Sequence, residues 1–173
     1  FAAVQSKTIE YQDDGVTLTG YLYWDDAVQG ARPGVLVIHE WWGLNDYAKK
    51  RAQMLAELGY VAFAADMYGD GQVTDKPDQA RTWMQEITAD VEGWRARALL
   101  GLEQLNASGM VDGDRVAALA HRIDGKAHAR ALGLDRRLDE DPHRMPLVQR
   151  ASYGAHRQGL RAPERTPTAH DRP

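Results

Sequence analysis

Two short, wholly apolar runs limit what this chain can fold into more than any other feature. The first, Val35 to Ile38, lies in "PGVLVIHE", and the second lies in "YVAFAAD". Neither alternates apolar with polar residues, so neither suits a sheet with one wet face. Such runs are buried on both sides, as in the middle of a parallel sheet. Between them stands "NDYAKKRAQMLAELG", where Asn45 can cap a helix and Gly59 can end it. Tyr47, Met54, Leu55 and Leu58 share one face of that helix, its candidate core side. Strand, helix and strand with short connections make a right-handed crossover unit, and with it an α/β fold.

The flanking segments extend the same sheet. "SKTIEY" and "VTLTGYLYW" are joined through "QDDG", whose Asp-Gly pair is a strong hairpin signal. Val16, Leu18 and Leu22 fall on one face, which suits a half-buried antiparallel strand. After the loop "MYGDGQVTDKPD", the segments "QARTWMQEI" and "VEGWRARALLGLEQL" read as helices. The second carries Val91, Trp94, Ala98, Leu102 and Leu105 as a stripe fit to lie on a sheet. A turn on Asp112, Gly113 and Asp114 then leads into "RVAAL", a third parallel strand. No internal repeat is present.

Beyond this point the character of the sequence changes. The net charge is −8 up to His121 and +4 from Arg122 onward. Ten of the sixteen arginines and five of the seven prolines lie in that later stretch, with Tyr153 its one aromatic residue. Residues 1–121 therefore read as the N-terminal part of an α/β domain with an incomplete sheet. Residues 122–173 read as an atypical Arg-, His- and Pro-rich tail with too few large apolar residues to order itself. The overall charge of −4 gives no reason to expect a nucleic-acid or membrane partner. No apolar run approaches the roughly 20 residues that span a bilayer. The absence of cysteine removes disulfides, thiolate metal sites and a cysteine nucleophile. The opening "FAAV" suits either the remainder of a cleaved export signal, hence a periplasmic or secreted protein, or an arbitrary boundary in a cytoplasmic one.

Ligands of open α/β sheets bind outside the carboxyl ends of the strands. "HEWWG", "DMYGDG" and the segment after Leu119 all leave the sheet at that edge. Glu40 could be a solvated loop carboxylate or a working group. Trp41 and Trp42 suit either packing beneath the sheet edge or the walls of an aromatic pocket. His121, Asp124 and His128 have a spacing compatible with one helix face, but nothing around them argues for a metal. Ser6, Ser108 and Ser152 lack a G-x-S-x-G context. No cofactor is called for.

"RPGVLVIHEWWGLNDYAKKRAQMLAELGYVAFAADMYGDG" resembles the dienelactone hydrolase family of α/β-hydrolases, and "SGMVDGDRVAAL" is similar to that family's approach to its nucleophile elbow. The resemblance covers about residues 6–119 and is lost after Ala120. It implies hydrolysis of a small-molecule ester or lactone by a Cys-His-Asp triad, with the cysteine in a G-x-C-x-G elbow. It implies further that Glu40 assists the nucleophile and that the Trp41 backbone N–H forms part of an oxyanion hole. Tyr68 matches a position near the pocket, and Trp42 would join it as a substrate-binding wall.

Carried along the last strand, the family's first elbow glycine falls on Ala120, its nucleophile on Arg122 and its second glycine on Asp124. A guanidinium has no lone pair with which to attack a carbonyl. No later segment offers recognisable strands for the triad Asp and His. The expectation is thus a hydrolase by ancestry that is inactive as written, its tail out of frame. The alternative is a non-catalytic small-molecule-binding or scaffold module built on the same edge.

Overall fold

The computed structural model describes residues 3–120. The expected disorder of the tail, the altered elbow and the His121–Asp124–His128 spacing all lie outside the described residues. Eight elements follow one another: β1 (Val4–Asp13), β2 (Val16–Asp25), β3 (Arg32–Ile38), α1 (Asp46–Glu57), β4 (Val61–Ala65), α2 (Pro77–Ala89), α3 (Val91–Ala107) and β5 (Val111–Ala120). The strands form one mixed sheet in the order β1-β2-β4-β3-β5.

The hairpin closes where the Asp-Gly pair stands. Asp14 and Gly15 have φ of 47° and 85°, the left-handed pair that a two-residue turn between twisted strands requires. β2 then runs antiparallel to β4, with Leu22 opposite Phe63. β3 lies parallel to β4 on one side and to β5 on the other. The turn residues ahead of "RVAAL" are looped out of the ladder: Pro33 pairs with Asp112, and the next pair is Gly34 with Val116. The Asp112 carboxylate holds this excursion closed by accepting from the Asp114 N–H at 3.1 Å and from Arg115 Nε at 2.6 Å.

Both faces of the central strands are covered, as their uninterrupted apolar character demands. Leu36, Ile38, Phe63 and Ala65 point into a layer completed by Trp94, Ala98 and Leu105 of α3. Val35, Val37, Ala62 and Ala64 point the other way, against Ala48, Ala52 and Leu55 of α1. Gly101 lets α3 approach closely, since a Cβ there would lie 2.9 Å from that of Ala65.

The inward face of α1 differs from the expected one. Tyr47, Met54 and Leu58 are 52%, 43% and 74% exposed, and only Leu55 of that group is buried. The helix instead buries Ala48, Ala52 and Ala56 beside Leu55. A helix that lies flat on a sheet already lined by Val35 and Val37 has room for methyl groups, not for large side chains. The α3 stripe behaves as expected at Trp94, Ala98 and Leu105, whereas Val91 at its first turn is 51% exposed.

Candidate active site

The parallel register brings three chain exits side by side. Ile38 is level with both Ala65 and Ala120, so His39 and Asp66 leave the sheet from one edge, beside the end of β5. His39 is buried there, between the ends of β3 and β4. Its Nε2 accepts from the Met67 N–H at 3.1 Å, and its Nδ1 lies 2.6 Å from the Glu40 carbonyl oxygen. An Nε2 that accepts carries no proton, so Nδ1–H is the donor to Glu40 and the ring is neutral. Burial holds the His39 pKa below its ordinary value, partly opposed by the Glu40 carbonyl and the nearby Asp66 charge.

That shift has a consequence for stability. The unfolded chain takes up a proton at His39 as pH falls through about 6.5, while the folded chain does not. The unfolded state therefore binds more protons, and this contribution to stability, complete above pH 6.5, is lost as pH falls toward the folded pKa. The urea midpoint should drop between about pH 7.5 and pH 5.5, and His39→Asn, which cannot titrate, should show a flatter profile. Equal slopes for the two proteins would remove His39 as the cause.

Glu40 is half-buried, with its carbonyl accepting from both His39 and the Gly43 N–H at 3.2 Å. It lines a cavity of about 20 Å³ together with His39, Met67, Tyr68, Thr88 and Trp94, space for about one water. Tyr68 packs edge-on against His39 with ring centroids 4.9 Å apart. Its hydroxyl donates to the Trp41 carbonyl at 3.0 Å, and burial pushes its pKa up to about 12. The phenol is thus a fixed neutral donor.

Trp41 and Trp42 are both half-buried and pack on each other with ring centroids 4.8 Å apart. The Trp42 carbonyl accepts from the Thr74 N–H at 3.0 Å, which ties this loop to the one after β4. Gly43 belongs to the same seam: its φ is +88°, and a Cβ there would lie 2.1 Å from the Gln72 carbonyl oxygen. Glu40, the Trp41 backbone and Tyr68 therefore meet at one edge. The Trp42 ring lies against Trp41, and neither indole borders the small cavity.

Two residues that hold this edge together are not singled out by the sequence, Asp66 and Arg97. Asp66 is fully buried, and its carboxylate accepts from the N–H groups of Tyr68, Gly69, Gly71 and Thr19 at 3.1, 2.9, 3.2 and 3.4 Å. The signal was available: an Asp that ends an apolar strand just before a glycine-rich loop is placed to accept that loop's N–H groups. Arg97 of α3 donates through Nη1 to the Met67 and Tyr68 carbonyls at 3.0 and 2.8 Å, and through Nε to Asp13 at 2.7 Å. No local pattern marks that residue. His39 was placed at the right junction without its two partners. Among the described residues, no group of three His, Asp or Glu side chains is arranged to hold a metal ion.

The sequence pattern of the dienelactone hydrolase family matches residues 18–121. The chain belongs to that family. A protein of Aquifex aeolicus (strain VF5), whose name assigns it provisionally to the carboxymethylenebutenolidases, is 42% identical over 84 residues, covering 47% of this chain and 35% of the relative. Among solved structures, m3DLH is 42% identical with a TM-score of 0.70, covering 75% of this chain and 54% of that one. A dienelactone hydrolase-like promiscuous phosphotriesterase from metagenomic libraries is 40% identical with a TM-score of 0.69 and the same coverage, 75% and 54%. The chain thus spans about a third of that curated relative's length and about half of each solved structure. The α/β fold expected from the apolar runs is shared by these neighbours, which include an esterase from an Arctic intertidal metagenomic library at 23% identity and a TM-score of 0.54.

Proposed function

We propose that this edge is the carboxylate-and-oxyanion half of a site for small-molecule esters or lactones, and that the chain as written does not complete the reaction. One observation carries the reading: among the described residues, no acceptor meets the Trp41 N–H, while the carbonyl of the same peptide is held by two donors. A fixed, unused N–H at the carboxyl edge of a parallel sheet is suited to a developing oxyanion, where such a donor is worth about 3 kcal/mol. Glu40 stands beside it and would hold and activate an attacking group. Tyr68 would border the substrate.

What the chain lacks is that attacking group. After Ala120 the sequence continues His121, Arg122, Ile123 and Asp124, and it contains no cysteine. Ester hydrolysis by this family's route needs a thiolate at the elbow and a histidine to carry its proton. The change of composition at this point suits an out-of-frame tail, which the coding DNA tests directly. A G-x-C-x-G elbow in another frame past the Leu119 codon would support that origin, and its absence from every frame would end it.

The enzymatic test joins residues 1–119 to the C-terminal half of a family relative, starting at that relative's elbow. This chimera should hydrolyse p-nitrophenyl acetate with saturation and repeated turnover, and the unaltered chain should not. Glu40→Gln should lower kcat/KM of the chimera by about a hundredfold. Turnover by the unaltered chain, or a Glu40→Gln chimera as fast as its parent, would overturn the proposal.

A further inference from the structure

We propose that His39 is the positioning residue of this edge, its Nδ1–H setting the Glu40–Trp41 peptide so that the Trp41 N–H faces away from the sheet. The inference rests on the reading of Trp41 as an oxyanion donor, and goes beyond it by naming what aims that donor. In a planar trans peptide the carbonyl and the N–H point in opposite directions. Whatever captures the Glu40 oxygen therefore dictates where the Trp41 hydrogen goes. Two donors capture it, His39 Nδ1 at 2.6 Å and the Gly43 N–H at 3.2 Å.

The choice of orientation is then made by Met67. Its N–H meets His39 Nε2 at 3.1 Å, so a proton on Nε2 would set donor against donor. The proton is forced onto Nδ1 instead. A flipped Glu40–Trp41 peptide would turn the Trp41 N–H toward that Nδ1–H, again donor against donor, in a partly buried place where an unmatched polar group is costly. The ring itself cannot swing aside, because the Tyr68 ring packs edge-on against it at 4.9 Å. Tyr68 also holds the next carbonyl, that of Trp41, through its hydroxyl at 3.0 Å. Two successive peptides are thus fixed by side chains from two different strand ends. The information passes from the β4 exit to the β3 exit through one imidazole.

The test uses the full chain, labelled with ¹⁵N, and reads geometry without turnover. Long-range ¹H–¹⁵N spectra should show His39 as the neutral Nδ1–H tautomer, assigned by the loss of its signals in His39→Asn. The Trp41 amide should exchange with solvent as an unprotected group, while the Met67 amide is protected. In His39→Asn the side-chain amide can stand where Nδ1–H stood, so the Trp41 and Gly43 resonances should stay near their original positions. Met67 should lose about tenfold in protection in that variant. In His39→Gln the acceptor for Met67 can be kept while the donor to Glu40 is lost, so Trp41 and Gly43 should shift and broaden.

An Nε2–H tautomer, a protected Trp41 amide in the parent chain, or unchanged Trp41 and Gly43 signals in His39→Gln would each refute the inference. The second needs no variant, so a substitution that fails to fold does not rescue it. The chimera's response to Glu40→Gln tests the hydrolase reading separately, and either can fail alone.

Discussion

Asp66→Ala is expected to destabilise the domain by about 3–5 kcal/mol, a large share of the about 5–15 kcal/mol by which domains are stable. The group lies in the interior with no exposed surface, and its two oxygens satisfy four backbone N–H groups. Three of those donors belong to the loop after β4, and the fourth, Thr19, belongs to β2. Alanine would leave them without acceptors in a place that water reaches poorly. Each unsatisfied buried donor costs about 1–3 kcal/mol, less than additively because the loop can relax. Asp66→Asn keeps one carbonyl oxygen but sets an NH₂ group against backbone donors, so it should fall between the parent and alanine. Urea unfolding followed by circular dichroism would rank the three. An alanine variant with the parent midpoint, or one more stable than asparagine, would show that the carboxylate does not organise this loop. The consequence reaches the candidate site, because the same loop carries Tyr68 and hence the hydroxyl that holds the Trp41 carbonyl.

Phe63→Ala should cost about 3–5 kcal/mol, the range for emptying a large aromatic site in a packed core. Phe63 is fully buried in β4 and packs against Tyr11 with ring centroids 5.9 Å apart. The ring occupies the space that Gly20 of β2 leaves open: a Cβ at Gly20 would lie 2.1 Å from its Cζ and 2.7 and 2.9 Å from its two Cε atoms. Gly20→Ala alone should therefore cost about 1–3 kcal/mol despite the usual gain from replacing glycine in a strand. The two positions share one volume, so their effects should not add. With Phe63→Leu in place, Gly20→Ala should cost clearly less than it does alone, a coupling of about 1–2 kcal/mol in a double-mutant cycle. Strict additivity would mean that the ring and the glycine are not matched as described.

The legible parts of this protein are those that short stretches encode. "QDDG" carries its own turn, because Asp14 and Gly15 tolerate positive φ. Asn45 caps α1 by accepting from the Ala48 N–H at 3.2 Å, as its position before the helix suggested. The site was legible only as a place. Glu40, Trp41 and Tyr68 can be singled out as candidates because parallel strands deliver their exits to one edge, and because their motifs resemble a known family. Their hydrogen bonds could not be read, since His39 meets Met67 across 28 residues and Arg97 meets Asp13 across 84.

By itself, the sequence determined that a double-sided parallel sheet must form, since Val35–Ile38 and Val61–Ala65 leave no polar face to turn toward water. Only the tertiary structure decided which side of α1 faces that sheet. Periodicity marks Tyr47, Met54 and Leu58 as an apolar stripe, yet close packing over Val35 and Val37 selects the alanines instead. The tertiary structure likewise decided that β4 lies between β2 and β3, and that a neutral His39 links two strand exits. The physical reason is common to these cases. A residue's own chemistry states that it must be buried or must find a partner, whereas the identity of that partner depends on which distant backbone group arrives beside it.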